Sequence, residues 1–144
     1  METKSKTSKG VLLARYFDRR AVSSISQVPN FKLTSVQFGY GYLDTSTDPA
    51  KIKPIPLTAT KADITNVYID NRPSFTYDEN THQIKVRTEI PAGAETIPEA
   101  GANVNVACIL DDMGEAVAML VGQLTVVNRD RGYLVTGTIE TNLN

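Results

Sequence analysis

The sequence of 144 residues contains no tryptophan, one cysteine and one histidine, and these shortages exclude several kinds of protein. The single cysteine, Cys108, permits no internal disulfide, and its place in an apolar stretch predicts a small buried hydrophobe. The single histidine, His82, lies in a polar turn without the spaced partners of a metal site or a Ser-His-Asp arrangement. No apolar run approaches the ~20 residues that a membrane-spanning helix needs.

The chain also lacks an excess of charge of either sign, because its formal net charge is −1. This balance predicts no general attraction to nucleic acid or to an anionic membrane. With 41% hydrophobic and 22% charged residues, the composition is that of a soluble globular protein. Residues 1–9 are small, polar and basic, so we expect a mobile arm there and a single domain over residues 10–144. The cations of the arm are candidates for contact with an acidic partner: Lys4, Lys6 and Lys9.

Alternation of polar and apolar residues predicts most of the fold. Residues 84–90 alternate at a period of two, which indicates a strand with one face in water. Residues 104–110 and 116–121 flank a polar loop that contains Gly114, and this pattern predicts a β-hairpin. The same reasoning predicts strands over residues 31–40, with a bulge near Ser35, over 75–77, which pairs with 84–90, and over 124–127 and 132–139, which pair with each other.

A helix is predicted from Ser8, which can cap it, to a point before Pro29. Arg15 and Arg19 then lie on or near its solvent face. A second, short helical turn is predicted after Asp63, with Ile64, Val67 and Tyr68. The predicted fold class is therefore α+β, mainly antiparallel β: a single-domain sheet or sandwich with an N-terminal helix and long connecting loops.

Two loops are the best candidates for contact with a partner, because binding residues are concentrated on loops that a rigid scaffold holds in place. The first loop, residues 43–62, loses all periodicity; the second covers residues 91–103. Arg15 and Arg19 are added as possible members of a binding patch, with a solvated helix face as the simpler interpretation. The candidate residues in the two loops are Pro49, Pro54, Pro56, Glu95 and Glu99.

No arrangement of residues nominates a reaction, so we expect no enzyme and no cofactor. Residues 111–115 cluster carboxylates around a glycine, but the acids are adjacent and the flanks are strands, so the pattern of a calcium-binding loop fails. Glu95 and Glu99 fit solvated loop residues better than an acid and base pair. Two other functions stay open: a small carbohydrate-binding β-module that uses Tyr40, Tyr42 and Tyr77, and a nucleic-acid contact through the basic arm.

Three sequence features together resemble a known family. These are the strand end Gly39-Tyr40-Gly41, the dipeptide Ile90-Pro91, and the turn Asp111-Asp112-Met113-Gly114 that leads into small and apolar residues. Over about residues 10–141 the chain is similar to the N-terminal domain of the phage tail-collar fibre proteins, which are found in contractile-tailed phages and related tail-like particles.

The resemblance implies a structural virion protein, a short adaptor or attachment protein in the tail fibre, collar or baseplate, without a receptor-binding part. The expected partners are other tail, baseplate or fibre proteins, and the chain is expected to form a homo-oligomer, with a trimer favoured. The expected location is the virion tail, after synthesis in the cytoplasm of the bacterial host.

Overall fold

The computed structural model describes residues 3–25, 31–47 and 51–140. It is mainly antiparallel β with one N-terminal helix, which confirms the predicted fold class. Helix α1 spans Ala14–Ser24. In chain order the strands are β1 Thr3–Leu12, β2 Leu33–Tyr40, β3 Leu43–Asp44, β4 Lys51–Ile52, β5 Thr65–Asp70, β6 Ser74–Asp78, β7 Gln83–Ile90, β8 Ala102–Asp111, β9 Ala116–Val127 and β10 Gly132–Glu140.

Eight of these strands form one sheet in the order β5-β2-β8-β9-β1-β10-β7-β6, and β3 pairs with β4 separately. Strand β1 changes partner along its length. Residues 3–9 run parallel to β10, whereas residues 10–12 run antiparallel to β9. The other pairings in this sheet are antiparallel among the described residues. β1 therefore joins the two halves of the sheet.

Two of the predicted hairpins are confirmed. β8 and β9 pair across a tight turn in which Gly114 has φ +79°, a conformation that favours glycine. β6 pairs with β7 across a turn that ends at His82. The predicted bulge is also present, because the register between β2 and β8 shifts between Leu33 and Ser35.

The main core lies between the two halves of the sheet. Phe38 of β2 and Tyr133 of β10 meet there, with ring centroids 6.0 Å apart. Ile90 of β7 and Ile109 of β8 are fully buried in the same cluster. Because side chains alternate across a strand, the other face of β8 and β9 needs a cover of its own.

That cover comes from the segment between β4 and β5. Ala59 and Ile64 pack with Leu13 against Cys108 and Met119 in a second, smaller core. Part of the loop predicted for partner contact is therefore buried against its own sheet. Within the described ranges, no helix has the length and hydropathy required of a membrane-spanning segment.

The prediction of a mobile arm over residues 1–9 is wrong for residues 3–9, which form most of β1 and pair with β10 along seven consecutive positions. The helix prediction is correct in kind but not at its start: α1 begins at Ala14 rather than at Ser8, because residues up to Leu12 belong to the strand. A position inside the sheet satisfies the backbone hydrogen bonds that a helix would otherwise provide.

Two further predictions are corrected. The expected helical turn after Asp63 is instead a 3-10 turn over Lys61–Asp63 followed directly by strand β5, which contains Val67 and Tyr68. The expected strands over residues 124–127 and 132–139 exist as the end of β9 and as β10, but the end of β9 pairs with β8, whereas β10 pairs with β1 and β7. The turn residues between the two strands predicted a hairpin, but each strand pairs with a strand from another part of the chain.

Candidate functional site

A cluster of charged residues joins helix α1 to the turn between β8 and β9. Arg15 Nε donates to Asp111 Oδ2 at 2.7 Å, and Arg19 Nη1 donates to the same oxygen at 3.0 Å. Arg19 Nη1 also donates to Asp112 Oδ1 at 2.7 Å. Arg19 is only 8% exposed and its guanidinium lies 5.1 Å from the centroid of the Phe31 ring.

Asp111 is the centre of this cluster. Its second oxygen accepts the backbone N–H groups of Met113 at 2.9 Å and Glu115 at 3.1 Å. Burial alone would raise the pKa of this carboxyl, but the Glu115 N–H and the guanidinium groups of Arg15 and Arg19 favour the charged form and hold the pKa below its usual range. Each carboxylate oxygen of Asp111 therefore accepts two hydrogen bonds from within the chain, and together they hold α1 to the turn between β8 and β9.

The same contacts correct the prediction that Arg19 lies on or near the solvent face of the helix. Its hydrogen bonds to Asp112 and Asp111 raise the pKa of Arg19, so the guanidinium stays charged although it is buried. Arg15 keeps 34% of its side chain exposed. Neither residue extends freely into solvent as a partner-binding cation would. Sequence reasoning missed the pairing because 92 residues separate Arg19 from Asp111.

The other candidate residues belong to different parts of the chain. Lys4, Lys6 and Lys9 lie on β1, and Pro49 lies outside the described residues. Pro54 and Pro56 are exposed. Glu95 and Glu99 are exposed in the second loop, where Glu99 lies 3.6 Å from Arg129. The structure does not bring these residues together into one site.

The three tyrosines of the carbohydrate hypothesis also lie apart. Tyr40 lines a shallow cleft of about 360 Å³ at the end of β2. The Tyr42 hydroxyl donates to Asp63 at 3.4 Å, and Tyr77 lies on β6, next to His82, at the other end of the strand order. The three tyrosines thus have three different sets of neighbours.

Cys108 is fully buried, as predicted, and burial raises the pKa of its thiol to about 12. A thiol with so high a pKa carries almost no thiolate at neutral pH, so it is chemically inert in the folded protein. Among the described residues, no group of three or more His, Cys, Asp or Glu side chains could hold a metal ion.

A polar cleft of about 340 Å³ lies where β5 comes close to β7, and sequence reasoning missed it entirely. Asp70, Arg72, Arg87 and Glu89 line it, together with Tyr68. The only local signal was the turn composition Asp70-Asn71-Arg72-Pro73, which follows a strand. The approach of β7 to this turn depends on the tertiary fold.

The fold and these sites define the protein as a β-sheet domain stabilised by a buried ion-pair cluster, with its clefts and exposed loops at the surface. No family model, no curated protein and no solved structure matches the chain.

Proposed function

We propose that this chain is a structural virion protein, an attachment adaptor in the tail fibre, collar or baseplate of a contractile-tailed phage or tail-like particle. Two of the features that carry the family resemblance support this proposal, since they have structural roles. Asp111 organises the ion-pair cluster, and Gly39 permits close approach of β5 to β2. Both features stabilise the fold, which is the role expected of residues in a structural protein.

The observation that carries the proposal is an apolar ridge on the segment that covers the second core. We define the ridge as Ile52, Pro54, Pro56 and Leu57. Ile52 is 43% exposed and Leu57 is 59% exposed. Exposed apolar groups that lie close together mark interaction sites in soluble proteins.

The ridge is held in place by the fold. The Ala14 N–H at the start of α1 donates to the Leu57 carbonyl at 2.9 Å, and the Lys53 N–H donates to the Tyr42 carbonyl at 2.8 Å. Ala59, just beyond the ridge, is buried. A segment anchored at both ends can present apolar side chains to a partner with a small loss of conformational entropy, which suits an adaptor.

Immunogold electron microscopy tests the proposed location. An antibody raised against this chain is applied to particles induced from the bacterium that carries the gene. Gold at the tail, collar or baseplate is the expected result. Intact tailed particles that lack both the label and the protein, as judged by mass spectrometry, would contradict the proposal.

Complementation tests the ridge. A prophage that lacks the gene is supplied with the Ile52→Ser, Leu57→Ser double variant, and we expect fewer complete particles than with the wild type. Leu124→Ser is the matched control, because Leu124 is 44% exposed on β9, outside the ridge. Equal yields from the wild type and the double variant would assign the adaptor contact to another surface.

The oligomeric state follows from the same proposal. Light scattering coupled to size-exclusion chromatography over a range of concentrations should give the mass of a homo-oligomer, with a trimer favoured. A carbohydrate module built on Tyr40, Tyr42 and Tyr77 has less support, since Tyr40 lines a cleft, Tyr42 contacts Asp63 and Tyr77 contacts His82.

A further inference from the structure

The polar cleft lies at the open side of the curled sheet. Strand β5 is one edge of the eight-stranded order, and β7 lies next to the other edge, yet the end of β5 reaches β7. The two halves of the sheet meet there without a backbone ladder between them. At about 340 Å³, this cleft has room for a small organic molecule such as a sugar.

The floor of the cleft is preformed. Asp70 Oδ2 accepts the Thr88 hydroxyl at 2.7 Å and the Glu89 N–H at 3.1 Å. Asp70 Oδ1 accepts the Arg72 N–H at 2.9 Å. Asp70 and Thr88 are both buried, so these hydrogen bonds fix the positions of β5, β7 and the turn after β5. Preorganisation of this kind lowers the entropy cost of binding.

The walls of the cleft carry two cations, Arg72 and Arg87. Within the described part of the chain, neither Arg72 nor Arg87 forms an ion pair within 4.0 Å, although both are exposed on the cleft. The charge of Asp70 is partly satisfied by its three hydrogen bonds. Paired arginines that are free to turn toward a ligand suit a carboxylate, which a guanidinium binds through two parallel hydrogen bonds.

The remaining groups suit hydroxyls. Asn71 and Ser74 line the cleft, and the Tyr68 ring provides an aromatic surface with a polar tip. The Glu89 carboxylate can accept from a hydroxyl but repels a simple anion. Because hydrogen bonds within the chain already occupy Asp70, these groups fit a ligand with one negative charge and several hydroxyl groups.

We propose that this cleft binds a sugar that bears a carboxylate, such as a uronic or sialic acid, with Arg72 and Arg87 on the carboxylate and Asn71, Ser74 and Glu89 on the hydroxyls. This binding activity is independent of the adaptor role. A bare phosphate would fill little of the cleft and would meet the Glu89 charge. A neutral sugar would leave both guanidinium groups without a partner.

The test is a titration of the full-length, ¹⁵N-labelled protein followed by amide chemical shifts. The ligands are methyl β-glucuronide, N-acetylneuraminic acid, methyl β-glucoside as the neutral match of the first, and inorganic phosphate. We expect at least one acidic sugar to shift the amides of Asn71, Thr88 and Glu89, and the neutral glucoside to bind at least about tenfold more weakly.

Variants then assign the roles. Arg72→Gln and Arg87→Gln should each weaken binding of the acidic sugar by about tenfold, because each removes a charge-assisted hydrogen bond. Glu89→Gln should strengthen binding, since it removes a repulsive charge and keeps a hydrogen-bonding group. Lys51→Gln, on β4 outside the cleft, is the matched loss of an exposed cation and should change nothing.

Three results would overturn the proposal. The first is the absence of shifts in the cleft with either acidic sugar at concentrations well above about 1 mM. The second is equal binding of the glucuronide and the glucoside, which would remove the role of the arginines. The third is phosphate binding as strong as that of the acidic sugars with the same shifts, which would make the cleft a plain anion site.

Discussion

At the scale of single residues, Asp111 connects three parts of the molecule: helix α1, the turn between β8 and β9, and the start of β2. Its carboxylate binds Arg15 and Arg19, and its carbonyl accepts the Thr34 hydroxyl at 2.8 Å. A buried carboxylate is stable only when its lone pairs are occupied, and here they are. The buried guanidinium of Arg19 depends in turn on this anion.

We therefore expect Asp111→Ala to lower the free energy of unfolding by about 2–4 kcal/mol, because it leaves the N–H groups of Met113 and Glu115 unpaired and leaves Arg19 with Asp112 alone. Urea denaturation followed by circular dichroism measures the loss. Glu79→Ala, which removes an exposed carboxylate from the turn between β6 and β7, should leave the unfolding midpoint unchanged. A loss at Asp111 no larger than that of the control would show that the cluster contributes little.

A second single residue, Gly39, allows β2 and β5 to approach closely because it has no side chain. A Cβ atom at this position would overlap the Thr65 carbonyl oxygen of β5. Gly39→Ala should cost about 1–3 kcal/mol, because β2 and β5 must separate locally. Gly41→Ala should cost less, since its nearest neighbour is the Ile64 Cγ2 methyl group at 3.1 Å, which can move. Thermal denaturation of both variants checks the order.

At the scale of elements, β1 is the strand that unites the sheet. It lies between β9 and β10, and it is the parallel partner of β10 over residues 3–9. A central strand contributes backbone hydrogen bonds that no other segment can replace. The N-terminal residues are thus part of the fold as well as carriers of positive charge.

We expect deletion of residues 1–9 to lower the free energy of unfolding by at least about 3 kcal/mol, because several ladder hydrogen bonds of about 1 kcal/mol each are lost and β10 is exposed. Thermal unfolding and light scattering would detect the loss and any aggregation. The charge-only variant, with Lys4, Lys6 and Lys9 changed to Gln, keeps the backbone and should stay close to wild type. A deletion variant with wild-type stability would contradict the role of β1.

At the scale of the whole molecule, stability should depend on pH in the acid range. The pKa values of four aspartates lie below the usual range: Asp44, Asp78, Asp111 and Asp112. A group whose pKa is lower in the folded state contributes stability above its unfolded pKa of about 3.9 and loses it as the pH falls through the folded value. We expect a nearly constant urea midpoint from neutral pH down to about pH 5 and a steep fall below about pH 4.

The difference between wild type and Asp111→Asn isolates one member of this set. The difference in unfolding free energy should be largest at neutral pH and should shrink as the wild-type carboxyl is protonated, because the asparagine variant lacks that titration. Urea denaturation at a series of pH values measures it. A difference that stays constant down to pH 2 would contradict the ionic role of Asp111.

The local features of this protein could be predicted from short sequence patterns. The period of two over residues 84–90 and the glycine turn at 114 predicted two hairpins, and the phase slip near Ser35 predicted a bulge. The isolated Cys108 was correctly predicted to be buried. These predictions succeeded because each depends on side-chain alternation or turn geometry within a few residues of chain.

The features that join distant parts of the chain depend on the tertiary fold and could not be predicted from local patterns. β1 pairs with β10 although more than 100 residues separate them, so a basic N-terminus that looked like an arm became a central strand. Arg19 is buried only because Asp111 and Asp112 meet it, and the cleft beside Asp70 exists only because β7 reaches the end of β5. Such pairings follow from burial of one shared core, which no local pattern of residues contains.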